Sequence, residues 1–388
     1  MNFFRIPILL FAGYKLFNRS FFHQFPYICA YGIIGKITII TVSSVFSKHL
    51  FLWLFDLDVT YSQMVTFCCV SNIVEPLSIF SFLKKTSEKN FYLLLGSFII
   101  GNATAVDVFR ASVRIAHLDK SVEVPAFTYL LLALKPVVDA VFGLMIGVLV
   151  GLLTATAKIR DQGELHDVGM IVSSSCFVYF FTSLLGKSSL FGVIAVCIVQ
   201  ERYLFMNMSE WSVLAVKNIL EGLSYCLELL FYIFTGYKIL GVDFTAVYQY
   251  CLTALFASYM AKILIIGVVS SVINIWKKSA IKTQMQGLLI LGGTRGARSY
   301  PLIVAYIGPF SRTFQDMILL MIVFSVLVDS LISKVLVNML ESRLNRLEEQ
   351  EDREIHMVPG PLEETNNSWF EWMRKKEEVF HKWFRQQD

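Results

Sequence analysis

Residues 288–310 read LLILGGTRGARSYPLIVAYIGPF. The stretch is long and apolar enough to cross a bilayer, yet Arg295 and Arg298 lie among glycines near its middle. Arginine does not shed its charge in a protein. Each guanidinium therefore needs an acceptor, an aqueous path, or both.

Two further stretches break the rules of a plain membrane helix. Residues 71–77 read SNIVEPL, with Glu75 followed by Pro76 inside an apolar span. Proline removes a backbone hydrogen bond and interrupts the helix. A carboxylate at that depth must be neutral, paired or hydrated. Broken backbone within a membrane is tolerated where it is buried in protein or lines a cavity, and transporters build ion sites from it. Residues 93–106 read LLLGSFIIGNATAV, with small residues Gly96 and Gly101 and the amide of Asn102. Small residues permit close helix approach, and an amide in hydrocarbon costs free energy unless its hydrogen-bonding positions are met.

Composition places these stretches in a polytopic membrane protein. Of 388 residues, 55% are hydrophobic and only 16% charged, against about 25% charged in an ordinary soluble domain; mean hydropathy is +0.60. The net charge of +4 gives no reason to expect nucleic acid. Seven cysteines stand in apolar stretches without a CxxC pair, and six histidines do not cluster. That pattern argues against a metal centre or a disulfide framework. With no nucleophile–base pair or phosphate loop, an enzyme is not expected, nor is a cofactor.

The fold class expected is all-α, with about eleven spans near 3–17, 27–46, 62–83, 91–109, 127–158, 168–185, 188–204, 213–239, 245–275, 284–307 and 314–338. The span 127–158 exceeds what a bilayer needs, which predicts a tilted helix partly against protein. Lys135 and Asp139 in it are four apart, as a local ion pair would be, or as a group in an ion path would be. Basic residues Lys158 and Arg160, then Lys277, Lys278 and Lys282, and the charged tail fall on one side, taken as cytoplasmic. The membrane domain is expected over 1–338 and a charged cytoplasmic tail over 339–388. Near 368–385, Trp369, Phe370, Trp372, Met373, Val379, Phe380, Trp383 and Phe384 share one helical face. Such a helix lies on a membrane surface or docks in a partner's groove, or else the tail is solvated with no partner.

The three marked stretches resemble the sodium/proton exchangers of the monovalent cation:proton antiporter family. GGTRGA (292–297) is similar to that family's GGLRGA. IPILLFAGYKL (6–16) resembles its helix ending in DAGY, and VEP (74–76) falls where it has VDP. LGSFIIGNATAV (95–106) falls on FGESLLNDAVTV, and LELLFYIFTG (227–236) on SETLIFIFLG. A register placing Asp139 on the family's Asn-Asp pair leaves the long span unmatched and is rejected. The resemblance covers most of the chain; it implies that the family's first two helices and part of the third are missing here.

The resemblance implies two inverted repeats, a core moving against a dimerising scaffold, a homodimer in the plasma membrane, and exchange of sodium (or potassium) for protons. It also implies a calcineurin-B-like calcium protein on the tail, although Pro359-Gly360-Pro361 departs from that pattern. Position by position it marks Glu75, Gly101, Asn102 and Ser97 for the ion site, with Arg295 and Glu228 as supporting charges and Pro76 as the helix break. The family's site aspartate is Asn102, its GES acid is Ser97, and its DAGY aspartate is Phe11. Exchange needs a group that holds a cation when ionised and a proton when neutral; an amide cannot titrate. Two expectations follow. Glu75 carries the competition, with Asn102 as a neutral ligand. Alternatively Arg295, lacking an acid at Ser97, pairs with Glu75, and the chain is a transport-inactive regulatory or dimerisation partner.

Overall fold

The computed structural model describes residues 5–16, 19–75, 88–118, 126–157, 164–276, 281–291, 295–308 and 310–329, with a few further positions up to 339. Pro76 and the tail with its expected helix near 368–385 lie outside them. Among the described residues all regular structure is helical, apart from one antiparallel bridge between Val74 and Arg295.

Helix α1 spans Arg5–Leu16 and α2 spans Arg19–Cys29. Pro26 inside α2 has no N–H to donate, and a π-helical turn at Ala30–Gly35 follows within one turn. The chain then continues as α3, Lys36–Phe55. Residues Phe21–Phe55 thus form one 35-residue span, longer than the apolar run 27–46 suggested. Asp56, in the left-handed region at φ 51°, ends α3 with its N–H bonded to the Leu52 carbonyl. A capping box of Thr60 and Gln63 opens α4, Tyr61–Ser71.

Six helices follow. They are α5 (Glu88–Leu118), α6 (Ala126–Ala157), α7 (Glu164–Leu184), α8 (Ser189–Val199), α9 (Glu210–Ile239) and α10 (Phe244–Trp276). Helix α6 runs unbroken through Pro136. The nearly touching spans of the sequence are two separate helices, α7 and α8. The chain reverses between them through Leu185–Ser188, where Gly186 takes φ +68°, a conformation that L side chains rarely adopt. The next span is interrupted: α11 (Thr283–Leu291), a 3₁₀ turn at Ala297–Ser299, then α12 (Tyr300–Val304). Helix α13, Ser311–Phe324, closes the described bundle.

Seven helices among the described residues are long and apolar enough to cross a membrane. The shorter ones include α1 and α8, of 12 and 11 residues, and α4, α11 and α12 of the interrupted spans. Apolar packing falls into groups. One core joins α3, α4, α5, α10 and α13 through Phe51, Phe67, Phe109, Cys251 and Phe314. Another joins α1, α7, α8 and α9 through Tyr14, Tyr179, Val193 and Leu220. A small cluster of Ile8, Phe11, Leu227, Phe231 and Ala297 sets α1 and α9 against the turn before α12.

Candidate ion-binding site

The two interrupted spans meet where their helices stop. Helix α4 ends at Ser71, and Asn72 leaves the helical region at φ −98°, ψ 4°. Two steps on, Val74 pairs antiparallel with Arg295. The last carbonyls of α4 have no intrahelical donors and carry the negative end of its dipole. Two cations cover them. Arg295 Nε donates to the Ser71 carbonyl at 2.8 Å, and Lys36 Nζ donates to the Asn72 carbonyl. Arg295 is 3% exposed and lies 5.1 Å from the Tyr259 ring centroid; its backbone N–H donates to Ser325 Oγ at 2.8 Å.

Asn102, one helix away on α5, grips the same crossing. Its Oδ1 accepts from the Val74 N–H at 2.9 Å, and its Nδ2 donates to the Val74 carbonyl at 2.6 Å. One side chain thereby meets both backbone groups of a residue that has left its helix. This is work that an amide does and a carboxylate cannot, because a carboxylate offers acceptors only. Gly101 rests against the Lys36 stem, where an added Cβ would sit 3.6 Å from Cδ. Ser97, 5% exposed, turns its hydroxyl to the Leu94 carbonyl at 2.8 Å.

Glu75 is 1% exposed and forms an ion pair with Arg298, whose side chain is 13% exposed. Arg295, the partner expected, lies three residues earlier, and its Nε reaches the end of α4. Gly296 lies against the carboxyl: a Cβ there would overlap Glu75 Oε2. Glu228, half-buried on α9, lies within electrostatic reach of both Glu75 and Arg298, as does Tyr232 one turn on. Phe11 is buried against α9, with its ring 6.3 Å from that of Tyr225. Of the marked residues, Glu75, Asn102 and Arg295 converge on the crossing, Glu228 faces it, and Ser97 and Gly101 line the α5 side. Pro76 is outside the described residues.

Two buried lysines escaped the sequence reading. Lys36 is 7% and Lys262 5% exposed, and both line a cavity beside Val74 and Ser97. Their signal was present, since each is a lone charge in an apolar run. A second charged cluster sits farther along α5. There Asp139 pairs with Lys187 of the α7–α8 turn at 3.0 Å, not with Lys135 as the four-residue spacing suggested. Lys135 borders the same cluster, as do Asp107 and Arg110.

Similarity to known proteins agrees with this geometry. The family model described as "Sodium/hydrogen exchanger, transmembrane" matches residues 1–339. Sodium/hydrogen exchanger 2 of Oryctolagus cuniculus is 22% identical over 90% of this chain and 44% of its own length. The probable Na(+)/H(+) antiporter nhx-3 of Caenorhabditis elegans is 22% identical over 95% and 54%. The chain thus spans about half the length of these curated relatives. Its fold is similar to that of the sodium proton antiporter MjNhaP1 from Methanocaldococcus jannaschii, with TM-score 0.66, 15% identity, and coverage of 87% of this chain and 84% of that one. With the family match extending across every helix that builds the crossing, the chain belongs to the sodium/hydrogen exchanger family.

Proposed function

We propose that the chain is a sodium (or potassium)/proton antiporter in which cation and proton compete for Glu75. The observation that carries this reading is the buried carboxylate Glu75 at the break, with Arg298 paired to it and Glu228 within electrostatic reach. A monovalent cation or a proton can take the place of that guanidinium at the carboxylate. Arg298 acts as a tethered competitor that holds the carboxylate while neither is bound. Asn102 serves the site by fixing the unwound backbone. Ion choice, homodimeric assembly, residence in the plasma membrane and docking of a calcineurin-B-like calcium protein on the tail belong to the same reading and rest on the family.

One observation favours a second reading, a transport-inactive partner of an intact exchanger: Glu75 is already paired, and the carbonyls ending α4 are already held by Lys36 and Arg295. Recovery of cytosolic pH after an acid load, in cells lacking their own exchangers, separates the two. Antiport predicts sodium-dependent recovery by the native chain and its loss in Glu75→Gln at equal surface expression. Recovery that survives Glu75→Gln removes Glu75 from the mechanism. Silence from the native chain, together with its co-purification with an intact exchanger, establishes the second reading.

A further inference from the structure

Lys36 and Ser43 stand seven residues apart on α3, which puts them on one face two turns apart, and both are buried. That face meets Asn72, the residue at which α4 stops. Lys36 Nζ donates to the Asn72 carbonyl. Asn72 Nδ2 donates to Ser43 Oγ at 3.4 Å and to the Cys68 carbonyl at 2.9 Å. The Ser43 hydroxyl is itself turned to the Ile40 carbonyl at 3.0 Å, so towards the amide it is an acceptor. Both amide donors are thereby used, which fixes the nitrogen end of the Asn72 side chain. The oxygen end is left over. Asn72 is 0% exposed, and its Oδ1 has no hydrogen-bond partner among the described residues. A buried acceptor without a donor is costly and calls for an explanation.

The end of α4 thus presents neutral oxygens with a positive charge already on one of them. The last carbonyls of a helix carry the negative end of its dipole, and broken membrane helices hold monovalent cations with such carbonyls. The Lys36 ammonium carries the charge of such a cation and occupies its place at the Asn72 carbonyl. It also has room to leave. Lys36 borders a cavity of about 40 Å³ whose wall includes the hydroxyl-bearing Tyr31 and Ser97. We propose that Lys36 is a tethered occupant of a cation subsite at the end of α4, and that a monovalent cation takes the backbone and side-chain oxygens of Asn72 when the ammonium withdraws into the cavity. The class of ligand rests on the antiport reading, which the subsite extends: Arg298 competes for the carboxylate of Glu75, and Lys36 competes for the oxygens of Asn72. Lys36 thereby sets how tightly the cation is held, because only the fraction of molecules with the ammonium withdrawn can bind it.

The test is thermal unfolding of the purified full chain in detergent, at fixed pH and ionic strength, with sodium replacing N-methylglucamine. Lys36→Met and Lys36→Gln remove the charge, and Gln keeps a donor for the Asn72 carbonyl. In either variant the sodium-dependent rise in Tm should reach half its size at a concentration at least about tenfold below that of the native chain. Lys36→Arg keeps a cation on the tether and should respond as the native chain does. Adding Asn72→Leu to Lys36→Gln removes the oxygen at similar size and should cancel the gain. Unchanged sodium affinity in whichever neutral variant folds overturns the proposal. So does a gain that survives Asn72→Leu, because the sodium then binds elsewhere. Neither readout needs transport. Tightened, Asn72-dependent binding in a chain that is silent after an acid load upholds the subsite and removes the antiport reading; sodium-dependent recovery without any tightening does the reverse.

Discussion

At the scale of single residues, the amide at position 102 is matched to its task. Val74 presents one N–H and one carbonyl, and Asn102 meets the first with Oδ1 and the second with Nδ2. Asn102→Asp keeps the acceptor, loses the donor, and sets a carboxylate oxygen against the Val74 carbonyl. Leaving that group unmet costs about 1–3 kcal/mol, so the variant should unfold several degrees below the native chain in a detergent melting experiment. An equal or higher Tm would mean that Val74 does not depend on the amide, and that Asn102 is free to turn its oxygen to an ion. The depth of Glu75 and Asn102 in apolar sequence was enough to mark both. That Glu75 would meet Arg298 was not legible, because the contact depends on the register of two segments more than two hundred residues apart in sequence. Lys36 and Lys262 illustrate a different gap. Each was visible as a charge, but only the fold shows that the two line one cavity.

At the scale of elements, the breaks in α4 and α11–α12 were readable from Glu75-Pro76 and from the glycines around Arg295, since helix breakers act locally. The tightest helix contact was not read, though its signal was local too. Gly143, Gly147 and Gly151 recur every four residues on α6, the spacing that lets two membrane helices approach closely. In the fold they face α8. A Cβ at Gly143 would overlap the Ser188 carbonyl, one at Gly147 the Gly192 carbonyl, and one at Gly151 would come within 2.8 Å of Val199 Cβ. Gly147→Ala therefore meets backbone, which cannot swing aside, and should cost at least about 1–3 kcal/mol. Gly169 on α7 has nothing within 4 Å of an added Cβ. Gly169→Ala should be neutral or stabilising by about 0.5–1 kcal/mol, from the reduced freedom of the unfolded chain. Comparing the two variants by Tm separates close packing from helix propensity. Equal effects would show that the α6–α8 contact is looser than the backbone distances state.

For the whole molecule, the direction of each crossing links the site to the topology. Six helices, α5 to α10, separate α4 from α11; with each of them crossing once, the two interrupted segments run through the membrane in opposite senses. Only with that relation do Val74 and Arg295 meet as an antiparallel pair and do helix ends of opposite origin close on one point. The basic loops give the expectation that the side carrying Lys158 and Arg160 is cytoplasmic. The turns around Asp58 and Asp243 then face outward, and Glu210, at the start of α9, faces the cytosol. All three positions are exposed, whereas the cysteines are buried or lie within membrane helices. A membrane-impermeant maleimide applied to intact cells should label Asp58→Cys and Asp243→Cys. Glu210→Cys should react only after permeabilisation. Labelling of Glu210→Cys from outside together with Asp58→Cys would put both ends of an odd number of crossings on one face. The crossing of the two broken segments could not then be antiparallel, and the arrangement that brings Glu75, Arg298 and Glu228 together would fall with it.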